Sequence, residues 1–127
     1  MYRALSNNIE VQVEPAYVHE QSDPRQGHYF FSYRVRISNQ GDKPVQLVRR
    51  HWVITDGFGT TEEVQGPGVV GLQPMIKPGE MFEYSSFCPL PTPTGSMQGS
   101  YAMIDAEGRE MEVEIPLFFL NEPSHFH

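Results

Sequence analysis

Residues 66 to 71, Gly66-Pro67-Gly68-Val69-Val70-Gly71, form a GxGxxG pattern inside "EEVQGPGVVGLQ". In dinucleotide-binding folds this spacing joins a strand to a helix. Free N–H groups at the helix N-terminus then attract a pyrophosphate. Here Pro74 comes three residues after Gly71, and Pro78 four after that. No useful helix fits between them, because proline inside a helix costs ~3 kcal/mol. Pro67 also has no N–H to offer. The motif is therefore expected to be a surface loop between two strands, with at least one glycine at positive φ. A second reading keeps an anion site without a helix. The N–H groups of Gly68 and Val69 would converge on one spot, between the bends at Gly66 and Gly71. Arg49, Arg50 and Lys77 are the basic residues nominated to help.

The other reactive side chains are few. The five histidines are His19, His28, His51, His125 and His127, and none forms the HxxxH or HExxH spacing of a helical metal site. His19, Asp23 and His28 could meet across the first loop. His125 and His127 share strand parity at the end of the chain, where weak divalent-metal binding is an option. Cys88 is the one cysteine, so no intrachain disulfide forms. It ends an alternating strand just before Pro89, and reads as a small buried group rather than a nucleophile. No catalytic set and no cofactor site is expected. Trp52 could stack on a base, but in a sandwich it reads as core.

The net charge of −7, from 9 basic and 16 acidic residues, argues against a nucleic-acid interface or an anionic membrane surface. A single small anion site stays open, at Arg49-Arg50-His51 or at Arg34 and Arg36. The longest apolar run, Leu117 to Leu120, is too short to span a bilayer. No secretory leader pattern opens the sequence. With one cysteine, these features fit a cytoplasmic protein.

The elements that would position these residues are strands. Tyr29, Phe31, Tyr33, Val35 and Ile37 alternate with Ser32, Arg34, Arg36 and Ser38, so the first set should face inward. Ile9, Val11 and Val13 mark an earlier strand. Residues 44 to 55 make another, in which Val48, Arg50, Trp52 and Ile54 share one parity; a bulge could re-aim the arginine. "DGFG", "KPGE" and "DAEG" are turns. Phe82, Tyr84, Ser86 and Cys88 alternate, and so do Met111, Val113, Ile115, Leu117 and Phe119. No ten-residue stretch free of Pro and Gly shows a helical period. About seven antiparallel strands in one domain, residues 1–127 with an ordered core near 5–120, predict an immunoglobulin or fibronectin type III-like β-sandwich. A closed barrel is the alternative.

"RHWVITDGFG", "GPGVVGLQP", "KPGEMFEYSSFCPLPTPTGSMQGSYAMID" and "EVEIPLFFL" together resemble the bacterial ApaG family. The likeness runs from about residue 5 to 120. It implies a fibronectin-type sandwich and a link to cobalt resistance and magnesium efflux. It also implies a GxGxxG loop proposed to bind pyrophosphate, and a role as a protein-interaction module in related domains. It brings no catalytic residues. The leading expectation is a non-enzymatic binding domain for a protein partner. A nucleotide or pyrophosphate sensor and a weak divalent-metal binder are the alternatives. The run Leu117-Phe118-Phe119-Leu120 breaks alternation, so Phe118 or Phe119 should leave the core for a partner-facing patch, with a homodimer as one option.

Overall fold

The computed structural model describes residues 1–126, with side chains through Ser124. Nine strands follow one another: β1 Tyr2–Ser6, β2 Ile9–Tyr17, β3 Tyr29–Asn39, β4 Val45–Asp56, β5 Thr61–Pro67, β6 Met75–Ile76, β7 Met81–Leu90, β8 Thr94–Asp105 and β9 Glu110–Asn121. The three helical segments are single 3₁₀ turns of three or four residues, and no α-helix occurs among the described residues. All pairings between strands are antiparallel. One sheet has the order β1-β2-β3-β7; the other runs β5-β4-β8-β9, with β6 beside the start of β4. The chain is thus an all-β sandwich. The expected count of seven omitted β1, whose five residues begin before the expected core, and the two-residue β6. Both are too short to show a clear period.

The alternation in β3 holds. Phe31, Tyr33, Val35 and Ile37 are buried, Tyr29 is half-buried, and Arg34 is exposed. They pack with Ile9, Val11 and Val13 of β2 against Leu47, Trp52, Tyr101 and Val113 of the facing sheet. The two fully buried polar residues latch the sheets at opposite ends. Asn39 Nδ2 donates to the carbonyls of Lys43 (2.8 Å) and Ile76 (2.9 Å), and its Oδ1 accepts from Gly41 N–H. Thr92 Oγ1 accepts from Gly57 N–H and donates to the Thr94 carbonyl. Each is satisfied, which a buried polar group requires.

Two bulges reset which residues face the core. In β4 one extra residue, Val48, intervenes between the pairs Leu47↔Met103 and Arg49↔Ala102. Val45 and Leu47 point inward before it; Trp52 points inward after it. Val48 therefore does not share the parity of Trp52, as expected from spacing alone, while Arg50 does. In β9 one extra residue lies between Ile115 and Phe118, opposite Gly99 and Met97. Pro116, which has no N–H for the ladder, sits in that interval. Inward positions switch from Val113 and Ile115 to Phe118 and Leu120.

This corrects the interface expectation for Phe118. Its ring is fully buried, edge-on to Trp52 at 6.0 Å and 88°, and near Tyr33 and Tyr2. Phe119 and Leu117 face outward and are about half exposed, 50% and 47%. The expectation that one phenylalanine must leave the core is met by Phe119 alone, because a bulge flips every side chain beyond it. Phe118→Ala is expected to lose about 3–5 kcal/mol in urea unfolding, through lost burial and a cavity. Phe119→Ser should stay within ~1 kcal/mol of the parent. Equal losses at the two positions would contradict the switched parity.

Candidate functional site

The long sides of the sandwich differ. At one, β1 and β9 meet: Ser6 Oγ accepts from Glu114 N–H, and Asn7 Nδ2 donates to the Glu112 carbonyl. At the other, β5 and β7 are edge strands, and the sheets part around a cleft of about 380 Å³. The reason is local. Cys88 and Leu90 of β7 are buried at one end, but the other positions of β5 and β7 that line the gap, Glu62, Val64 and Ser86, supply too little apolar surface to close it. The floor is apolar and aromatic, with Trp52, Tyr33 and Met97. Arg50, Asp56 and Glu62 are the charged residues in the wall.

Arg50 reaches the cleft because of the Val48 bulge, and the glycine motif holds it there. Its Nη1 donates to the carbonyls of Pro67 (2.8 Å) and Gly68 (3.0 Å). Gly66 lies opposite Arg50 across the ladder, and a Cβ at Gly66 would come within 3.0–3.2 Å of the guanidinium. Gly68, at φ +59°, leaves no room for a side chain: a Cβ there would meet the Leu72 carbonyl oxygen at 2.0 Å. Val69 and Leu72 exchange both backbone hydrogen bonds around Val70 and Gly71, whose φ values are +45° and +80°. Positive φ at both central residues is the requirement of a type I′ hairpin turn. At Val70 it is a costly conformation, because the side chain is β-branched. The loop also covers the bulge. Gly68 N–H and Gln73 Nε2 both donate to the Val48 carbonyl, each at 2.9 Å.

The sequence thus located the loop and its positive-φ glycines. The expected convergence of free N–H groups is not the geometry found. The Gly68 and Val69 N–H groups are spent on Val48 and Leu72. The nominated basic residues do not converge on one anion site either. Arg49 faces the other side of the sheet, where it pairs with Glu110. Lys77 follows Ile76, which pairs with Val45, so it lies beside residue 44, roughly 13 Å along the strand from Val48. The alternative anion pair is engaged too, Arg34 with Glu14 (3.0 Å) and Arg36 with Glu83 (3.1 Å). Arg49 and Arg50 both lie opposite the start of the motif, at Pro67 and Gly66, but the Arg49 guanidinium is taken by Glu110 and that of Arg50 contacts carbonyl oxygens. Missed by sequence reasoning were Tyr33, Glu62, Val64 and Ser86 as residues that line one cleft with Arg50. They sit on different strands, and no spacing reports that.

Among the described residues, no group of three or more His, Cys, Asp or Glu is placed to hold a metal ion. Asp23 and His28 are joined by backbone hydrogen bonds. The His125/His127 pair lies outside the described side chains. Cys88 is buried beside the cleft, and burial pushes its thiol up to about 11. Burial also raises Tyr33, Tyr84 and Tyr101; the Tyr84 and Tyr101 hydroxyls bond to each other in the core. At neutral pH the cleft thus has no ionised thiol or phenol to act as a nucleophile or base.

A family model described as "ApaG domain" matches residues 19–105. Protein ApaG of Paramagnetospirillum magneticum is 51% identical over 123 residues, covering 97% of this chain and 95% of that protein. Protein ApaG of Agrobacterium fabrum is 54% identical with the same coverage. A crystal structure described as the ApaA protein of Bordetella pertussis superposes with a TM-score of 0.89 at 53% identity, covering 91% of this chain and 94% of that one.

Two predictions test the site. Gly68→Ala should cost about 2 kcal/mol or more, since it adds a left-handed alanine to a backbone clash. Gly66→Ala, which displaces only a flexible guanidinium, should cost under ~1 kcal/mol; urea titration of both decides. The second concerns alkali. Below the ordinary thiol pKa, folded and unfolded chains hold the same proton. From about pH 9 to 11 the unfolded thiol ionises first, so stability should fall as pH rises. Cys88→Ala should make that fall shallower, and an unchanged slope would contradict the burial effect.

Proposed function

The chain belongs to the ApaG domain family, and we propose that it is a binding module without catalytic chemistry of its own, which receives an extended segment of a partner protein at the open edge between β5 and β7. The observation that carries this reading is the unequal closure of the sandwich. One side is closed by hydrogen bonds from β9 to Ser6 and Asn7. The other leaves two strand edges unpaired beside a cleft floored by Trp52 and Tyr33. An unpaired edge offers a row of N–H and C=O groups to an incoming strand. An adjoining aromatic recess offers a pocket for its side chains. Apolar surface extends the edge outward. Phe87 of β7 is 56% exposed and lies against Phe30 at 5.3 Å, beside Pro89 and Pro91.

The pyrophosphate reading draws less support from the same geometry. A phosphate needs free N–H groups together with cations. The glycine loop turns the Pro67 and Gly68 carbonyls toward Arg50, the one basic residue it holds.

A photo-crosslinking amino acid at Thr60, at the mouth of the cleft, should give partner adducts in cells. The same group at Gln98, exposed on the outer face of β8, should not. Val64→Lys should suppress the Thr60 adducts while the chain still unfolds cooperatively. Equal adducts at both positions, or adducts indifferent to Val64→Lys, would count against the open edge.

A further inference from the structure

Charge in the cleft is separated. Along β4 the residues turned toward it are Arg50, Trp52, Ile54 and Asp56; across the ladder Arg50 faces Gly66, Trp52 faces Val64, and Ile54 faces Glu62. The guanidinium is held at one end by the Pro67 and Gly68 carbonyls. Glu62 is four residues from Gly66 on β5, roughly 13 Å at the rise of a strand. Asp56 lies beyond it, its Oδ1 accepting from the Phe58 and Thr60 N–H groups. The middle is apolar. The cleft therefore runs from a cation, over Trp52 and Val64, to two carboxylates.

Neither Arg50 nor Glu62 takes part in an ion pair among the described residues, whereas the other strand arginines, Arg3, Arg34, Arg36 and Arg49, each face a carboxylate. Nη1 of Arg50 is occupied by two carbonyls. The guanidinium has five N–H donors in a planar fork, so Nε and Nη2 are left for a carboxylate. That use matches the geometry in which arginine binds best.

We infer that the preferred occupant is an extended polypeptide segment carrying an acidic residue, an apolar residue and a basic residue at positions i, i+2 and i+4, seated on Arg50, Trp52 with Val64, and Glu62 in turn. This rests on the open edge being the binding surface. An extended chain places i, i+2 and i+4 on one face and spans the same ~13 Å. Either strand direction is accommodated, so base-to-acid order along the segment is equally permitted. A segment with two acids four apart would meet Glu62 and Asp56 with like charge. A segment with two bases would leave Arg50 opposed.

The test is a selection of displayed random heptapeptides on the full chain, run in parallel on Glu62→Lys. Glu62 is exposed, so its replacement leaves the core intact. The parent should enrich peptides with opposite charges four apart around an apolar residue. Glu62→Lys should enrich peptides with two acids at that spacing. Synthetic parent winners should bind about fivefold to tenfold tighter than their charge-neutralised versions at low salt, and the gap should shrink in ~0.5 M salt. They should also change Trp52 emission. If both selections return the same charge pattern, the charge assignment is overturned; winners that still perturb Trp52 and are lost with Val64→Lys would leave the open edge standing. If no winner perturbs Trp52, the open edge and the charge pattern fall together.

Discussion

One extra residue in β4 sets the chemistry of this molecule. Were Val48 an ordinary ladder residue rather than a bulge, strict alternation from Leu47 would turn Arg49 and His51 toward the facing sheet and expose Trp52. With the bulge, Trp52 joins the core and Arg50 lines the cleft. A bulge leaves one carbonyl out of the ladder, and a polar group left without a partner costs roughly 1–3 kcal/mol where water is excluded. The Gly66–Gly71 segment answers that need. It enters between β5 and β6, which pair in turn with the two halves of β4, and its Gly68 N–H closes on the Val48 carbonyl. The glycine pattern that elsewhere cradles a phosphate here supports a bulge and an arginine.

Tertiary packing extends from that point. The second bulge, in β9, brings Phe118 edge-on to Trp52. Tyr33 completes an aromatic group that spans both sheets. Tilted ring pairs of this kind add ~0.5–1.5 kcal/mol each beyond area burial. The cleft floor is therefore rigid core rather than loop. The mouth is built from edge strands and turns, with fewer buried partners. Burial keeps Cys88 and Tyr33 protonated at neutral pH.

The loop carries a cost of its own. Val70 holds φ +45° in a turn where asparagine or glycine would be unstrained, and its side chain is 54% exposed. Leu72, on the other side of the turn, is exposed to a similar degree. Burial does not explain either residue, and nothing in the structure supplies another reason.

Much of the frame was legible in the sequence. Alternation in β3 fixed its inner face, because a half-buried strand must repeat every two residues. Prolines at 74 and 78 excluded a helix behind the glycines, because the backbone chemistry of proline is local. The small number of reactive side chains was equally plain. What the sequence could not disclose were events that depend on a neighbour. The two bulges break parity inside runs that look regular, and each is defined only by the strand it pairs with. So Val48 was given the parity of Trp52, Leu117 and Phe119 that of Ile115, and Arg50 could be read as inward with Trp52 or as re-aimed. The fate of the glycine N–H groups was hidden for the same reason: their acceptors, Val48 and Leu72, are fixed by how the loop folds onto β4. Which edges stay open depends on sheet order, and sheet order is set by burial summed over the whole chain. Local sequence determined the strands; the cleft and its separated charges exist only where β4, β5 and β7 meet.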